Sequence, residues 1–521
     1  MTGWPPECVW CADTVHLGTH EALFHAGRAN DGGLELVPWI VESWETSGDL
    51  AYTDFKVHDG IEFHKGWGPL TAHDVVWYFN LIHPLNNPES RHDTGVQQHG
   101  ILDNAEVVDN KTFRFNWAAF AGHTLWMTYT DVQEGMGPFS KAIYDDKGIA
   151  YMEENIVGTG PFEVVEWTDA EVVDLQAVPD HWRKTPYIDR VRMLHVPEAS
   201  TRRAMLENRQ VQSAEIALKD WSALFDDGFT LAPETTNTVF AISMAGNYWQ
   251  SHHPMTGEPL ERTRDISKPW VGDPFENGDT FDPDTPSMKR SKLVREAMAI
   301  TIDREAINDT ILSGLGLPHH LGGIWVDDPI FIENQDMWSY EYNPDRAREL
   351  MAEAGYEDGF EVEWYGGPGN IEIFETVAAG WLGDLGIETT FDRQIYTSWR
   401  PTIVNRTNTD IFNGCCYGLP AWPLEWPQNA ANFPGGYNTA QEFDEAWESF
   451  DRKSNTTDPE ELKAASSDWY SFLREWHVWP GIVQHPGGAV YDPEAMEWEQ
   501  MRPFHWMRWS GMRSFEWIQL K

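Results

Sequence analysis

The chain has 521 residues, too many for one ordinary core, so two or three domains are expected. Hydrophobic residues make up 41% and charged residues 23%, the balance of a soluble globular protein, and no apolar run is long enough to span a bilayer. Lys plus Arg number 37 against 83 Asp plus Glu, a net charge of −46 that argues against nucleic acid and anionic membrane surfaces as partners.

The acids are dispersed rather than gathered into a tail, which reads as a hydrated surface suited to a saline, extracytoplasmic setting. The 28 Trp are far above ordinary usage; most must pack, but an excess can line a cleft where flat ligand faces stack.

In chain order, the N-terminus "MTGWPPECVWCADTV" has neither a basic n-region nor an apolar h-region. The chain is therefore expected either to be cytoplasmic or to be a mature form whose signal was replaced by Met1. Cys8 and Cys11 form a C-x-x-C, and a local disulfide between them suits an exported protein. "LAYTDFKVHDGIEFH" alternates around Asp59-Gly60 and predicts a hairpin. "LTAHDVVWYFNLI" predicts a helix, with Thr71 as N-cap and Asp74 as its capping-box partner. "AEVVDNKTFRFNW" predicts a second hairpin at Asp109-Asn110, and "GTGPFEVVEWTDAEVVDLQAV" two further strands.

Further on, "SKLVREAMAITIDREAINDTIL" reads as one buried amphipathic helix. "NPDRARELMAEAGYEDG" predicts a short helix with Pro344 in its first turn and Gly355 past its end. "FEVEWYG" and "DIFNGCCYG" read as buried strands, and "PGIVQHPGGAVYDP" as a late strand and turn. The vicinal pair Cys415 and Cys416 breaks zinc-knuckle geometry and has no local His signature for a nucleophile, so it reads as two small apolar residues at a strand end. Strands and helices mix without a strict βαβ rhythm, giving an α/β or α+β class.

Several of these segments together resemble one family. "LVPWIVESWETSGDLAYTDFKVHDGIEFHKGWGPLTAHDVVWYF", "VGTGPFEVVEW…DHWRKTPYID", "VREAMAITIDREAI" and "YNPDRARELMAEAGYEDGFEVEWY" follow, in order, the blocks of the dipeptide- and oligopeptide-binding proteins of bacterial ABC importers. The resemblance implies an α/β, two-lobed periplasmic-binding-protein fold with an extra inserted subdomain and a hinge that closes around the ligand. It places lobe one in 1–45, 158–245 and 481–521, the inserted subdomain in 46–157 and lobe two in 246–480, with chain crossings near 245 and 480. The N-terminal eighteen residues depart from the family's opening strand.

By the same resemblance "DIFNGCCYGLPAWPLEWPQNAANF" falls on the family's ligand loop. Peptide binders carry there an aspartate that pairs with the peptide ammonium. Gly418 and Leu419 stand near that position, Glu425 is the nearest acid, and Tyr417, Trp422 and Trp426 supply rings. Prolines 420, 423 and 427 stiffen the loop. The stretch reads as ligand wall, against the alternative that Trp422 and Trp426 pack beneath the loop. Thr19, His20, Asn247, Trp249, Trp399 and Arg400 are the other expected contacts, with Arg393 or Arg406 as equal candidates for a carboxylate-binding arginine.

Histidines 16, 20 and 25 and the pairs 252–253 and 319–320 are read as chance spacings, and "DPFENGDTFDPDTP" lacks EF-hand spacing, so no metal and no cofactor is expected. The implied function is an extracytoplasmic solute-binding protein, periplasmic or a cell-surface lipoprotein, monomeric, that captures a peptide-like or other extended organic solute for ABC permease subunits. An oligosaccharide is the alternative ligand, a sensor the alternative client, and a hydrolase the alternative class; no nucleophile-elbow or zincin motif supports the last.

Overall fold

The computed structural model describes residues 3–7, 18–28, 34–92, 95, 101–118, 120, 129, 137–232, 236–244, 259, 265–366, 371–395, 398–399, 402, 410–415, 443–486, 489–498 and 515–521. The chain divides into two units, one of Met1–Glu234 with Gly487–Lys521 and one of Thr235–Pro486.

In the first unit, strands Val41–Thr46, Tyr52–Val57, Thr112–Trp117 and Leu102–Val107 form an antiparallel sheet in that order. Period-two alternation places Phe55, Phe113 and Phe115 on one face, all fully buried. Phe55 and Phe113 stack at 5.0 Å and Phe115 meets Phe55 edge-on at 5.2 Å. Arg114 and Asp54, an opposed pair on the other face, join through Nε and Oδ1 at 2.6 Å. The predicted helix is Ala72–Ile82, and its capping box forms, with the Thr71 amide donating to Asp74 Oδ2 at 3.0 Å. Its Val75, Tyr78, Phe79 and Ile82 join the same core as the phenylalanines.

The hairpin at Asp109-Asn110 also forms, because Asp109 Oδ1 accepts from the amides of Lys111 (2.7 Å) and Thr112 (2.9 Å). The one expected at Asp59-Gly60 does not. Both edges of Tyr52–Val57 are already taken by its two neighbours, so residues 61–63 find no edge to pair with. They make a single bridge from Glu62 to Pro69 and send Ile61 and Phe63 into the core. Strands Phe162–Thr168 and Val172–Ala177 pair as expected and are extended by Arg190–Leu194.

The second unit is built on a six-stranded mixed sheet in the order Leu317–Pro318, Gly481–Pro486, Thr236–Ser243, Ile411–Cys415, Glu361–Tyr365, Glu388–Asp392. Thr236–Ser243 is antiparallel to both neighbours, while Glu361–Tyr365 is parallel to both of its own. The sequence-based boundaries near 245 and 480 would leave Thr236–Ser243 and Gly481–Pro486 in lobe one. The structure puts both strands in the second unit, where they pair with each other and one pairs with Ile411–Cys415. The segment 46–157 belongs to the first unit, and its sheet begins earlier, at Val41.

The single helix expected across 291–312 is two, Pro286–Ile300 and Arg304–Ile311. Thr301 Oγ1 donates back to Ala297 O at 3.0 Å, closing the first. Asp303, at non-helical φ −78 and ψ 84, caps the second by accepting from the Ala306 amide at 3.0 Å. Apolar periodicity ran through the break and hid this cap. Helix Pro344–Ala354 ends as expected at Gly355, whose left-handed φ of 82 suits a residue without Cβ.

Trp364, fully buried, sits among Trp381 (5.2 Å), Phe374 (5.3 Å) and Phe391 (5.5 Å), joining the sheet to helix Ile371–Leu385. Trp381 Nε1 donates to Met298 O at 2.9 Å, tying that helix to Pro286–Ile300. Truncation of Trp364 to Ala removes the common partner of three rings, and a loss of about 3–5 kcal/mol is expected for such a site. Hydrogen exchange should show faster opening of Glu361–Tyr365 and Ile371–Leu385, with the sheet of residues 41–117 unchanged.

Candidate functional site

Glu361–Tyr365 and Ile411–Cys415 run parallel, with Tyr365 opposite Phe412. The carboxyl ends of such strands are where open α/β sheets receive ligands. Trp399 lies at this edge with its ring flat on Tyr365, centroids 3.7 Å apart and planes 4° off parallel, and 5.6 Å from Phe412. The three rings are buried, at 6%, 5% and 3% exposure for Tyr365, Trp399 and Phe412. One face of Trp399 is thus occupied by protein, and the expected contact residue is part of a rigid three-ring stack. Nothing local to Trp399 marked Tyr365 and Phe412 as its partners, because they come from two separate strands.

Cys415 ends its strand opposite Phe240. Tyr417, Trp422, Glu425 and Trp426 lie outside the described residues, as do Asn247, Trp249, Arg400, Arg406, Cys8, Cys11 and Cys416. Arg393 is half-exposed and pairs with Glu375. Among the described residues no group of three or more His, Cys, Asp or Glu is placed to hold a metal ion.

The first unit places Thr19 and His20 in its interior, at 0% and 1% exposure. Thr19 Oγ1 and His20 Nδ1 are 3.2 Å apart, and the imidazole leans on Phe139 at 4.4 Å. The segment is pressed against the Gly-Thr-Gly turn. A Cβ on Gly158 would stand 2.0 Å from Thr19 O, and one on Gly160 2.1 Å from Gly18 O. Gly160 N donates to Thr19 O and Phe162 N to Gly18 O, each at 3.0 Å. These two glycines are required by close backbone approach.

Glu21 follows directly and is the electrostatic centre of this region. Its Oε1 accepts from Trp39 Nε1 (2.9 Å) and Arg183 Nε (3.0 Å), and its Oε2 from Trp182 Nε1 (2.8 Å). Arg183 also donates to Glu516 Oε1 at 3.0 Å and lies over the Trp39 ring at 4.7 Å. Burial alone would raise the Glu21 pKa, but His181 (3.7 Å away), Arg183 and Trp39 outweigh it and hold the carboxyl at about 2.

Two histidines line the same turn. His64 Nε2 bonds Gly160 O at 2.8 Å while its Nδ1 accepts from the Gly158 amide at 3.3 Å. His181 Nε2 bonds Thr159 O at 2.9 Å and its Nδ1 accepts from the Lys184 amide at 3.4 Å. For His64 this pattern requires a neutral imidazole protonated at Nε2. Burial lowers His64 to about 4 and, with the neighbouring His64, His20 to about 3. Sequence reading placed Thr19 and His20 here as contacts but missed Glu21, Trp39, His64, His181, Arg183 and Glu516. The segment "DHWR" and the "GTG" turn were the available signals.

The pH dependence follows with a definite sign. The folded pKa values of His20, His64 and Glu21 all lie below their ordinary values, so each contributes stability at high pH that is lost on acidification. The histidine part fades from about pH 6.5 towards 3–4, and the Glu21 part from about 4.5 towards 2. Glu21→Gln should destabilise the first unit at neutral pH by on the order of 3 kcal/mol, because it turns one accepting oxygen into a donor facing N–H groups. Melting curves against pH should show a shallower drop between pH 4.5 and 2 in this variant, where Glu21 and the histidines overlap, and keep the drop above it.

Residues 35–438 match the family described as bacterial extracellular solute-binding proteins, family 5 middle. Heme-binding protein A of Haemophilus influenzae is 24% identical over 420 residues, covering 73% of this chain and 69% of that protein. The oligopeptide-binding protein AppA of Bacillus subtilis is 24% identical over 360 residues, covering 67% and 57%. The alignments thus span 57% to 69% of the length of these curated relatives. Among solved structures, the periplasmic binding protein DppA from Helicobacter pylori in complex with the peptide STSA superposes with a TM-score of 0.68 at 18% identity, covering 98% of this chain and 93% of that one. That likeness shows a shared fold, the two-lobed α/β fold of periplasmic binding proteins.

Proposed function

Because the chain belongs to the bacterial extracellular solute-binding proteins of family 5, a family of binding proteins rather than enzymes, we propose that it captures an extended organic solute outside the cytoplasm and delivers it to the membrane subunits of an ABC importer. The family match over residues 35–438 carries this reading. Among the described residues no helix is long and apolar enough to cross a membrane, so the transport step itself falls to separate permease subunits. In this reading the chain works as a monomer, at the periplasmic or outer cell surface, without a catalytic residue or cofactor.

The ligand contacts proposed are Tyr417, Trp422, Glu425 and Trp426, with Asn247, Trp249 and Arg400. In sequence, Tyr417, Trp422, Glu425 and Trp426 follow strand Ile411–Cys415, Asn247 and Trp249 follow strand Thr236–Ser243, and Arg400 follows Trp399. In this reading Trp399, stacked on Tyr365 and beside Phe412, is a positioning residue rather than a free stacking face. Thr19 and His20, buried against the Gly-Thr-Gly turn, likewise shape the first unit instead of offering a face to solute.

A peptide-like solute remains the first choice. One relative is named for haem and another for oligopeptides at the same 24% identity, so identity does not choose between ligands. The rings of Trp422 and Trp426 favour an oligosaccharide or another flat solute as the second reading, since indole faces stack on sugar C–H faces.

Two measurements test the proposal. Trp422→Ala or Trp426→Ala should weaken binding by about 1–3 kcal/mol, roughly five- to 150-fold, with melting temperature unchanged. Calorimetric titration reads this directly, and wild-type affinity in both variants would reduce the loop to scaffold. Replacing Cys415 and Cys416 together by Ala should leave affinity within about a few-fold of wild type, since the proposal gives them packing roles only. Loss of binding in a variant that still melts normally would overturn that assignment.

A further inference from the structure

The acid surplus is not used by the solute site, and its distribution has a physical consequence of its own. Against 83 acids the chain has 24 Arg and only 13 Lys. Part of this small cationic complement is spent inside. Arg304, 4% exposed, donates to the carbonyls of His319 (2.7 Å) and Gly481 (2.9 Å). Arg295, 1% exposed, donates to those of Trp476 (2.8 Å) and Trp270 (2.5 Å). Neither guanidinium offsets a surface carboxylate through these bonds.

Several surface arginines are each shared between two acids. Arg348 joins Asp345 and Asp384, Arg452 joins Glu461 and Asp468, Arg209 joins Asp492 and Glu494, and Arg203 joins Glu207 and Asp220. Elsewhere acids crowd one another. Helix Asp444–Ser454 exposes Asp444, Glu445 and Glu448 within its first turns, and Glu353, Glu357 and Asp358 stand exposed around the end of helix Pro344–Ala354.

The spacing decides what can relieve this repulsion. Side chains at i and i+4, such as Asp444 and Glu448, are about 5–6 Å apart, and like charges there destabilise the helix. The screening length is about 8 Å at physiological ionic strength and about 3 Å at 1 M. Ordinary saline therefore leaves neighbouring carboxylates in each other's field, and only molar salt brings the screening length below their separation. A net charge of −46 summed over such neighbours opposes the compact state until it is screened.

We propose that this chain is a concentrated-salt protein: its folded state, and with it the solute site, is marginal in ordinary saline and gains most of its stability where molar monovalent salt screens its surface carboxylates. The partner is a diffuse atmosphere of Na⁺ or K⁺, with no dedicated ion site.

The test is thermal unfolding of the full chain, followed by far-ultraviolet circular dichroism and Trp fluorescence, in about 0.1, 1 and 3 M NaCl or KCl. The melting temperature should rise by roughly 15 °C or more across the series, alike for both cations. A variant carrying Glu353→Gln, Glu357→Gln, Asp358→Asn, Glu445→Gln and Glu448→Gln should melt higher than wild type in 0.1–1 M salt and like wild type in 3 M salt, a flatter dependence. A melting temperature constant within about 3 °C from 0.1 to 3 M salt would overturn the proposal. So would an equal rise produced by sucrose without salt together with an unflattened variant, because that combination identifies solute exclusion in place of screening.

Discussion

Strands Thr236–Ser243 and Gly481–Pro486 pair antiparallel, Val239 opposite Gln484 and Phe240 opposite Val483, and this pairing fixes where the chain enters and leaves the second unit. The same two stretches meet again in the first unit, where Leu231 pairs with Val490 and Ala232 with Ala489. Residues 233–235 and 487–488 are all that separate the two sets of pairs. The second unit, Thr235–Pro486, is therefore closed by the pairing of its own first and last strands. Closing so long a loop is cheap, since each doubling of length costs only about 0.6 kcal/mol, and the ladder with its neighbour Ile411–Cys415 offsets it.

The first unit is organised around charge instead. Glu21 has 1% side-chain exposure, and a carboxylate so buried persists only because three N–H donors, one of them an arginine's, surround it. Those donors come from residues 39, 182 and 183, and Arg183 reaches on to Glu516 near the C-terminus. One carboxyl thus holds together segments that are distant in sequence. The glycines at 158 and 160 let the Thr19–His20 backbone approach closely enough for the arrangement to close.

Local signals in the sequence were sufficient where a single segment determines its own structure. The Thr71–Asp74 box, the Asp109 turn and the Pro344-to-Gly355 helix all depend on side chains within a few residues of the bond they make. Reading failed where a distant partner decided. The Asp59-Gly60 hairpin lost to strands that already occupied both edges of Tyr52–Val57, and the helix across 291–312 broke because Asp303 capped a new one and Arg304 turned inward to His319 O and Gly481 O. At the candidate site, Trp399 was legible as an aromatic worth naming, but its flat contact with Tyr365 arises only when strand Glu361–Tyr365 is in the sheet. Glu21 went unnoticed because one acid among 83 carries no pattern until its partners arrive.

The carboxyl edge of the parallel strands carries a buried stack of three rings, and strand Ile411–Cys415 leads in sequence toward Trp422 and Trp426, the contacts proposed for solute. The most direct test of solute capture is native mass spectrometry of the chain purified in high salt, before and after mixing with pools of peptides, oligosaccharides and metal chelates. The account predicts one small organic molecule per chain, retained on gentle desolvation and recovered chemically unchanged after unfolding. Recovery of cleaved products, or a folded chain that retains no member of any pool, would contradict it.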